Sequence, residues 1–517
     1  METMRIKQQG FVWKSLEEMT LEEKLGQMFV TGFPEGEMDG SFIRLVKDYK
    51  VGNVILFKEN LEDRKQIKKL CSDIQSLMVD ETGIPAFITI DEEGGIVSRL
   101  PDSLGKMPSA MALSAIGSEE NLYEAALLSG KQLAQLGINF NLAPVLDINS
   151  NLANPVIGIR SYGADAGTVC RYASEAIKGY MDAGILCSGK HFPGHGDTAV
   201  DSHLSLPFSE KSEDELSELE LIPFQRAVDM EIPAITIAHV VYKKLDCVPA
   251  TMSREIVSGL LREKVGFGGL IISDCMEMNA ISNEYGIERG VIEAVAAGIE
   301  LIFISHKHDK VRSAIEALQR EIAEGHISME LIDAAVEKIL SLKKKYLRLT
   351  ISEDETLFER CGTFARKVFL EGVHVGKRRE DRFVLGESPC FIAPCQTQVS
   401  QVSNAVGGLS FAAELQKEFG GRAVEISLRP TKEEIESALC AAREATAVVV
   451  GTLNATVYQE QSKLLHLLAD MEIPMACVTL RNPFELEGLR AEVFTVPVYE
   501  YSARALEAVK EFFVAER

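Results

Sequence analysis

Short, unbroken apolar runs recur along the first two thirds of the chain. They are FVTGF from Phe29, VGNVILF from Val51, AFITID from Ala86, INFNLAPV from Ile138, ILCSGKHF from Ile185, AITIAHV from Ala234, GLIISD from Gly269 and LIFIS from Leu301. Runs that stay apolar instead of alternating predict strands buried on both faces, as in a parallel sheet. Amphipathic stretches separate them, and some of their starts are legible. TLEEKLGQMF opens on Thr20 with Glu23 three residues later, the pattern of a capping box. Eight strand–helix units within about 345 residues predict a closed (β/α)8 barrel, whose functional groups gather at the C-terminal strand ends. Asp91, Lys190, His191, His239 and Asp274 all stand at or just past the ends of these runs.

The pattern restarts further on. LKKKYLRLTISEDETLFERCGTFARKVFLEG, from Leu342, is charged and helical in pattern and predicts a link between two units. From about Arg382, the runs CFIAPC, AVEISL, AVVVGT, MACVTL and VFTVPVY alternate with the helical stretches TKEEIESALCAARE and SARALEAVKEFFVAE. The expected division is therefore a barrel over 1–345, a helical linker over 346–381, and a smaller α/β sandwich domain with a mostly parallel sheet over 382–517. This second unit has no GxGxxG or GxxxxGKS loop, which argues against nucleotide binding. It carries no recognisable acid, base or nucleophile set. A supporting or partner-binding role is expected, with barrel chemistry surviving its removal.

Charge narrows the partners. With 54 basic and 77 acidic side chains the net charge is −23, which disfavours nucleic acid and anionic membranes. The ten cysteines form no CxxC pair and read as reduced thiols. The N-terminal stretch has no apolar signal core, and no run approaches the roughly 18 apolar residues of a membrane span. A cytoplasmic location is expected. The sequence carries no signal for an oligomeric state.

The densest chemistry lies in KHFPGHGDTAVDSH, from Lys190 to His203. Three readings compete. A zinc site would use His191, His195 and His203 with Asp197 or Asp201, although Pro193, Gly194 and Gly196 break any helix that could present them. The histidines could instead tie loops by hydrogen bonds. Or Asp201 could orient and charge-stabilise the imidazole of His203 as a proton-transfer dyad. Asp274, in GLIISDCMEMNA, reads equally as a nucleophile or as the N-cap of a following helix. In IDEEGGIVSRLPD, Asp91 and Arg99 suit paired sugar hydroxyls, one accepting and one donating, or else form a turn with a surface ion pair. Arg160, in NPVIGIRSYG, is by itself a loop arginine.

Together KHFPGHGDTAVDSHLSLP, NPVIGIRSYG, DEEGGIVSRL and PATMSREIVSGLLREKVGFGGLIISDCMEM resemble the β-N-acetylglucosaminidase branch of the family 3 glycoside hydrolases. The resemblance spans nearly the whole barrel portion and implies the same TIM-like fold. It implies that Asp274 is the nucleophile and His203 the general acid/base with Asp201 as its partner. It further implies that Asp91, Arg99, Arg160, Lys190 and His191 bind the sugar, while His195 supports the loop. The implied reaction is double displacement through a glycosyl-enzyme, with no metal or organic cofactor. Histidine takes the place of one of the usual two carboxylates. The implied substrate is a small saccharide with a terminal β-linked N-acetylglucosamine, derived from cell wall or chitin. A phosphorylase is the near alternative, because a neutral imidazole does not repel phosphate; a metal-dependent hydrolase is a more distant one. Two departures stand out. Ile96 follows the EGG motif where arginine is usual, and Glu300 stands where aspartate is usual, with His306 and His308 expected at the pocket rim.

Overall fold

The structure is a computed structural model, and it describes residues 13–198, 206–347, 353–375, 381–395, 408–486 and 489–515. The eight apolar runs form strands β1 (Phe29–Thr31), β2 (Asn53–Leu56), β3 (Phe87–Ile90), β4 (Phe140–Asn141), β5 (Leu186–Phe192), β6 (Ala234–Ile237), β7 (Leu270–Cys275) and β8 (Leu301–Phe303). Each pairs in parallel with its sequence neighbours, and β8 returns to β1, with Phe29 opposite Ile302 and Val30 opposite Asn53. The barrel is closed. Every residue of β3 and β5 is buried, so continuous apolarity here does report two covered faces.

Local signals explain where the flanking helices begin and end. The Thr20 side chain accepts from the Glu23 N–H, and the Glu23 carboxylate accepts from the Thr20 N–H, closing the expected capping box. The helices Glu119–Leu136 and Ala166–Ala183 stop at Gly137 and Gly184, whose φ of 96° and 75° only glycine adopts without strain. Each stop turns the chain directly into the next strand. Among the described residues no helix is long and apolar enough to cross a membrane.

Five further strands follow: β9 (Cys390–Pro394), β10 (Arg422–Ile426), β11 (Val448–Thr452), β12 (Met475–Thr479) and β13 (Phe494–Pro497). Their order is β10-β9-β11-β12-β13, and all pairings are parallel. The last expected helix is shorter than its pattern. It spans Ala503–Lys510, after which Phe513–Val514 pairs with Phe383–Val384. The helix Leu357–Val373 serves both cores, with Cys361, Ala365 and Val368 packed into the barrel's cluster and Phe369 and Val373 into that of the second sheet.

Glu300 lies before β8, at the barrel end opposite the predicted functional groups. Its carboxylate accepts from Arg262 at 2.6 Å, Lys338 at 2.8 Å and the Ile271 N–H at 2.8 Å. This departure from the usual aspartate is therefore a structural tie and does not reach the mouth. Glu300→Gln is expected to cost about 1.5–3 kcal/mol of stability, because Arg262 and Lys338 lose the carboxylate charge and one of its two acceptor oxygens becomes a donor. Thermal denaturation should register the loss while turnover stays unchanged.

Candidate functional site

The strand ends bring most of the predicted residues together. Asp91 directly follows β3, Lys190 and His191 belong to β5, and Asp274 belongs to β7, all toward the C-terminal mouth. Arg160 ends a single turn, Gly158–Arg160, in the long connection after β4. Asp201 and His203 lie outside the described residues.

A buried chain of ion pairs organises one side of this mouth. Lys190 donates to Asp91 at 2.7 Å and lies 2.7 Å from a Glu93 oxygen. Glu93 also takes a two-pronged pair from Arg160 Nε and Nη2, both at 2.8 Å. Arg99 approaches Asp91 at 3.8 Å. The row thus runs Arg99–Asp91–Lys190–Glu93–Arg160. Burial alone would push the Glu93 carboxyl up, but the charges of Arg160 and Lys190 hold it well below the usual range. Burial likewise works against the Lys190 ammonium, and Asp91 and Glu93 overcome it. Asp91, whose side chain is 20% exposed, is the most open of the two carboxylates and has lone pairs left for a hydroxyl. Arg160 is more deeply committed than its expected role implied. Three of its five N–H groups serve Glu93 and the Val156 carbonyl, so it holds Glu93 before it touches any ligand.

A second acid sits beneath the histidines. Asp147 is fully buried and lies 2.7 Å from His191 Nδ1, while the backbone N–H of His195 donates to it at 2.7 Å. With Nδ1 engaged, His191 presents Nε2 as its second site. His195 turns its own Nδ1 to Thr198 Oγ1 at 2.7 Å. Asn154 donates to the carbonyls of His195 and Gly196 and accepts from the N–H groups of Val156 and Ile157, which ties the histidine loop to the Arg160 loop. Among the described residues His191 and His195 do not join a metal-ligand cluster; the one such group, Glu321, Glu324 and His326, lies at the surface.

Asp274 is not a helix cap. It lies within β7, and the next helix, Asn279–Ser282, starts five residues later with Met278 at its N-cap. One carboxylate oxygen accepts from the Cys275 N–H at 2.7 Å. On the neighbouring strand, His239 Nε2 reaches the Cys275 carbonyl at 3.0 Å. Burial foremost pushes the Cys275 thiol up to about 12, so it stays a neutral packing group.

Sequence reading missed Glu93, Asp147 and Asn154. Each had a faint signal: Glu93 follows Asp91 before paired glycines, and Asp147 follows the fourth apolar run as Asp91 follows the third. Neither spacing says that Glu93 is held by Lys190 and Arg160 or that Asp147 is buried against two histidines.

The second sheet's loops press on this same side. Ile96 and Ile159 share an apolar cluster with Met111, Ala112, Phe484 and Tyr499. Ile96 therefore packs on an apolar cluster, which explains an apolar residue where arginine is usual. Arg504, paired with Glu500, donates to the carbonyls of Lys106 and Met107, and the latter carbonyl also accepts from the Gly95 N–H. A side chain at Gly158, where φ is 46°, would come within 2.7 Å of Asn482 Oδ1. This packing argues against the expectation that the barrel acts unaided.

Burial and the nearby His191 lower the His195 imidazole to about 4. A histidine depressed in the fold is proton-poor relative to the unfolded chain, so its stabilisation holds above about pH 6.5 and is lost as pH falls toward 4. Melting temperature should drop across that window, and His195→Gln should flatten the drop.

Residues 20–342 match the family described as the glycosyl hydrolase family 3 N terminal domain. The chain is 33% identical over 325 residues to Beta-hexosaminidase A of Pseudoalteromonas piscicida, covering 58% of this chain and 54% of that protein. To a beta-hexosaminidase of Thiobacillus denitrificans it is 34% identical over 267 residues, covering 50% of this chain and 73% of that one. The chain thus spans about half the length of the first of these relatives. Among solved structures, a family 3 beta-N-acetylglucosaminidase from Paenibacillus sp. str. FPU-7 superimposes with a TM-score of 0.83 at 34% identity, over 95% of this chain and 96% of that one. With a closed eight-stranded barrel and a family match over most of its first two thirds, this chain belongs to glycosyl hydrolase family 3.

Proposed function

We propose that the chain is a retaining exo-β-N-acetylglucosaminidase that removes terminal β-linked N-acetylglucosamine from small cell-wall-derived or chitin-like saccharides. The observation that carries this reading is the buried Arg99–Asp91–Lys190–Glu93–Arg160 row in the same barrel mouth as Asp274. Alternating fixed donors and acceptors suit the vicinal hydroxyls of a sugar ring, and rigid ion pairs let them bind without reorganising. The solved relative named as a beta-N-acetylglucosaminidase supports the substrate class. Residues 1–345 would form the catalytic unit, 346–381 the helical link, and 382–517 the supporting unit. Peptidoglycan recycling in the cytoplasm is the setting that fits such a substrate.

In this reading Asp274 attacks the anomeric carbon while His203, oriented by Asp201, protonates the departing oxygen. A covalent glycosyl-enzyme forms. Neutral His203 then takes a proton from the incoming water, which releases the sugar with its configuration retained. Lys190, Asp91 and Arg99 hold hydroxyls, and His191, steadied by Asp147, offers Nε2 to the same ring. Arg160 positions Glu93.

Asp274→Asn should lower turnover by several orders of magnitude while leaving the melting temperature near that of the parent. His203→Ala should slow poor leaving groups strongly and nitrophenolate much less, since the latter departs without a proton. An equal loss for both leaving groups in the glycosylation step would remove His203 from the acid/base role and leave the Asp147–His191 pair as its replacement. Product analysis in phosphate buffer separates hydrolysis from phosphorolysis: free N-acetylglucosamine is expected, and its 1-phosphate would reassign the acceptor. Phe484→Ala, which loosens the cluster under Ile96 and Ile159, should raise KM severalfold with a smaller change in kcat.

A further inference from the structure

On the far side of the mouth a stacked aromatic pair is left facing solvent. The imidazole of His306, just past β8, lies over the ring of Phe57, just past β2, with centroids 4.7 Å apart and planes 27° from parallel. The His306 side chain is 63% exposed. A ring serving only to fill space would be covered, yet this one is presented and held rigidly. The buried carboxylate of Glu277 accepts from the His306 N–H at 2.8 Å, approaches its Nδ1 at 3.1 Å, and accepts from the Lys307 N–H at 2.7 Å. Burial raises the Glu277 carboxyl, but His306 and the two N–H groups bring it below the ordinary value, so it stays an acceptor. Phe57 is pinned as well, its N–H donating to Asn60 Oδ1 at 2.8 Å while Asn60 Nδ2 donates to the Phe33 carbonyl at 2.8 Å.

This pair is tied to the strand that bears the proposed nucleophile. Cys275, next to Asp274, has its sulfur 3.8 Å from the Glu277 carboxylate and accepts from Ser305 Oγ at 3.1 Å. The order of strands around the barrel then sets a direction. The ion-pair row occupies the ends of β3 to β5, and Phe484 and Tyr499 close in behind it through Ile96 and Ile159. The ends of β8 and β1 stand across the closed barrel from that row, beside the strand that carries Asp274.

We propose that His306, backed by Phe57, is the platform on which the pyranose ring of the aglycone rests, which makes this enzyme selective for saccharides over substrates whose leaving group has no ring. The proposal rests on the exo-glycosidase reading above. Imidazole and phenyl faces suit the apolar face of a sugar ring, and fixing both rings beforehand removes an ordering cost from binding. The surface ion pair of His306 with Glu277 contributes little by itself and serves as an orienting contact.

The test compares kcat/KM for N,N′-diacetylchitobiose with that for N-acetylglucosaminyl azide, whose leaving group has no ring. His306→Ala should lower the chitobiose-to-azide ratio roughly three- to tenfold. His306→Phe should restore it, because a flat ring returns without the imidazole's nitrogens. An unchanged ratio in His306→Ala, or no recovery in His306→Phe, overturns the platform. Failure of the parent protein to cleave either compound would instead overturn the glycosidase reading and this inference with it.

Discussion

Glu93 is the acid on which the mouth depends. It is nearly inaccessible to solvent, yet it carries a charge shared between two buried cations, Lys190 at 2.7 Å and Arg160 at 2.8 Å. Removing one partner of such a buried set costs about 3–5 kcal/mol, because the remaining charges lose their compensation. The geometry therefore has only one comfortable arrangement. Lys190 from the fifth strand and Arg160 from the connection after the fourth must both meet the loop that follows the third. Two loops and a buried strand are tied together by one carboxylate.

That fixing works only if the loops themselves are backed. Glu92, adjacent in sequence and fully buried, takes the N–H groups of Arg99 and Leu100 on its carboxylate, so the turn presenting Arg99 is held from within. From outside, the apolar cluster of Ile96, Ile159, Phe484 and Tyr499 and the grip of Arg504 on Lys106 and Met107 press the same loops inward. The C-terminal sheet thus packs directly on the loops that carry Ile96, Ile159, Lys106 and Met107. It supplies the outer wall that a barrel's loops lack when they stand alone in water.

The barrel was legible because its signal is repeated and local: eight apolar runs, each bounded by an amphipathic stretch, leave little freedom in topology once parallel pairing is accepted. The strand-end residues Asp91, Lys190, His191 and Asp274 were legible for the same reason. Glu93 and Asp147 were not, since a carboxylate in a loop reads as solvated surface until the cations around it are known. Arg160 was found by resemblance but misjudged in emphasis, since its first duty is to Glu93. The cluster that gathers Ile96 and Tyr499 joins parts of the chain some four hundred residues apart, and no periodicity reports such a meeting. Glu300 was legible as a departure from the usual aspartate, but its three partners, drawn from Arg262, Lys338 and the Ile271 N–H, were not. The cap reading of Asp274 fell away because the next helix begins only at Asn279, with Met278 at its N-cap.

The two sides of the mouth are built from different physics, and the difference bears on what they can select. The Asp91 side is a set of charges locked by low dielectric, where each group is already paired and a ligand must match existing directions to gain anything. A saccharide extended past that side would have to displace Ile96 and Ile159 from their apolar cluster, giving up buried apolar surface without a replacement. Among the described residues the His306 side has no such wall, and the His306 side chain is 63% exposed. Its groups are fixed in orientation but open in front, so chain length there is limited only by solvent. One closed side and one open side suit the proposed action on a terminus instead of an internal bond. Which side is closed follows from the loops that the second sheet covers.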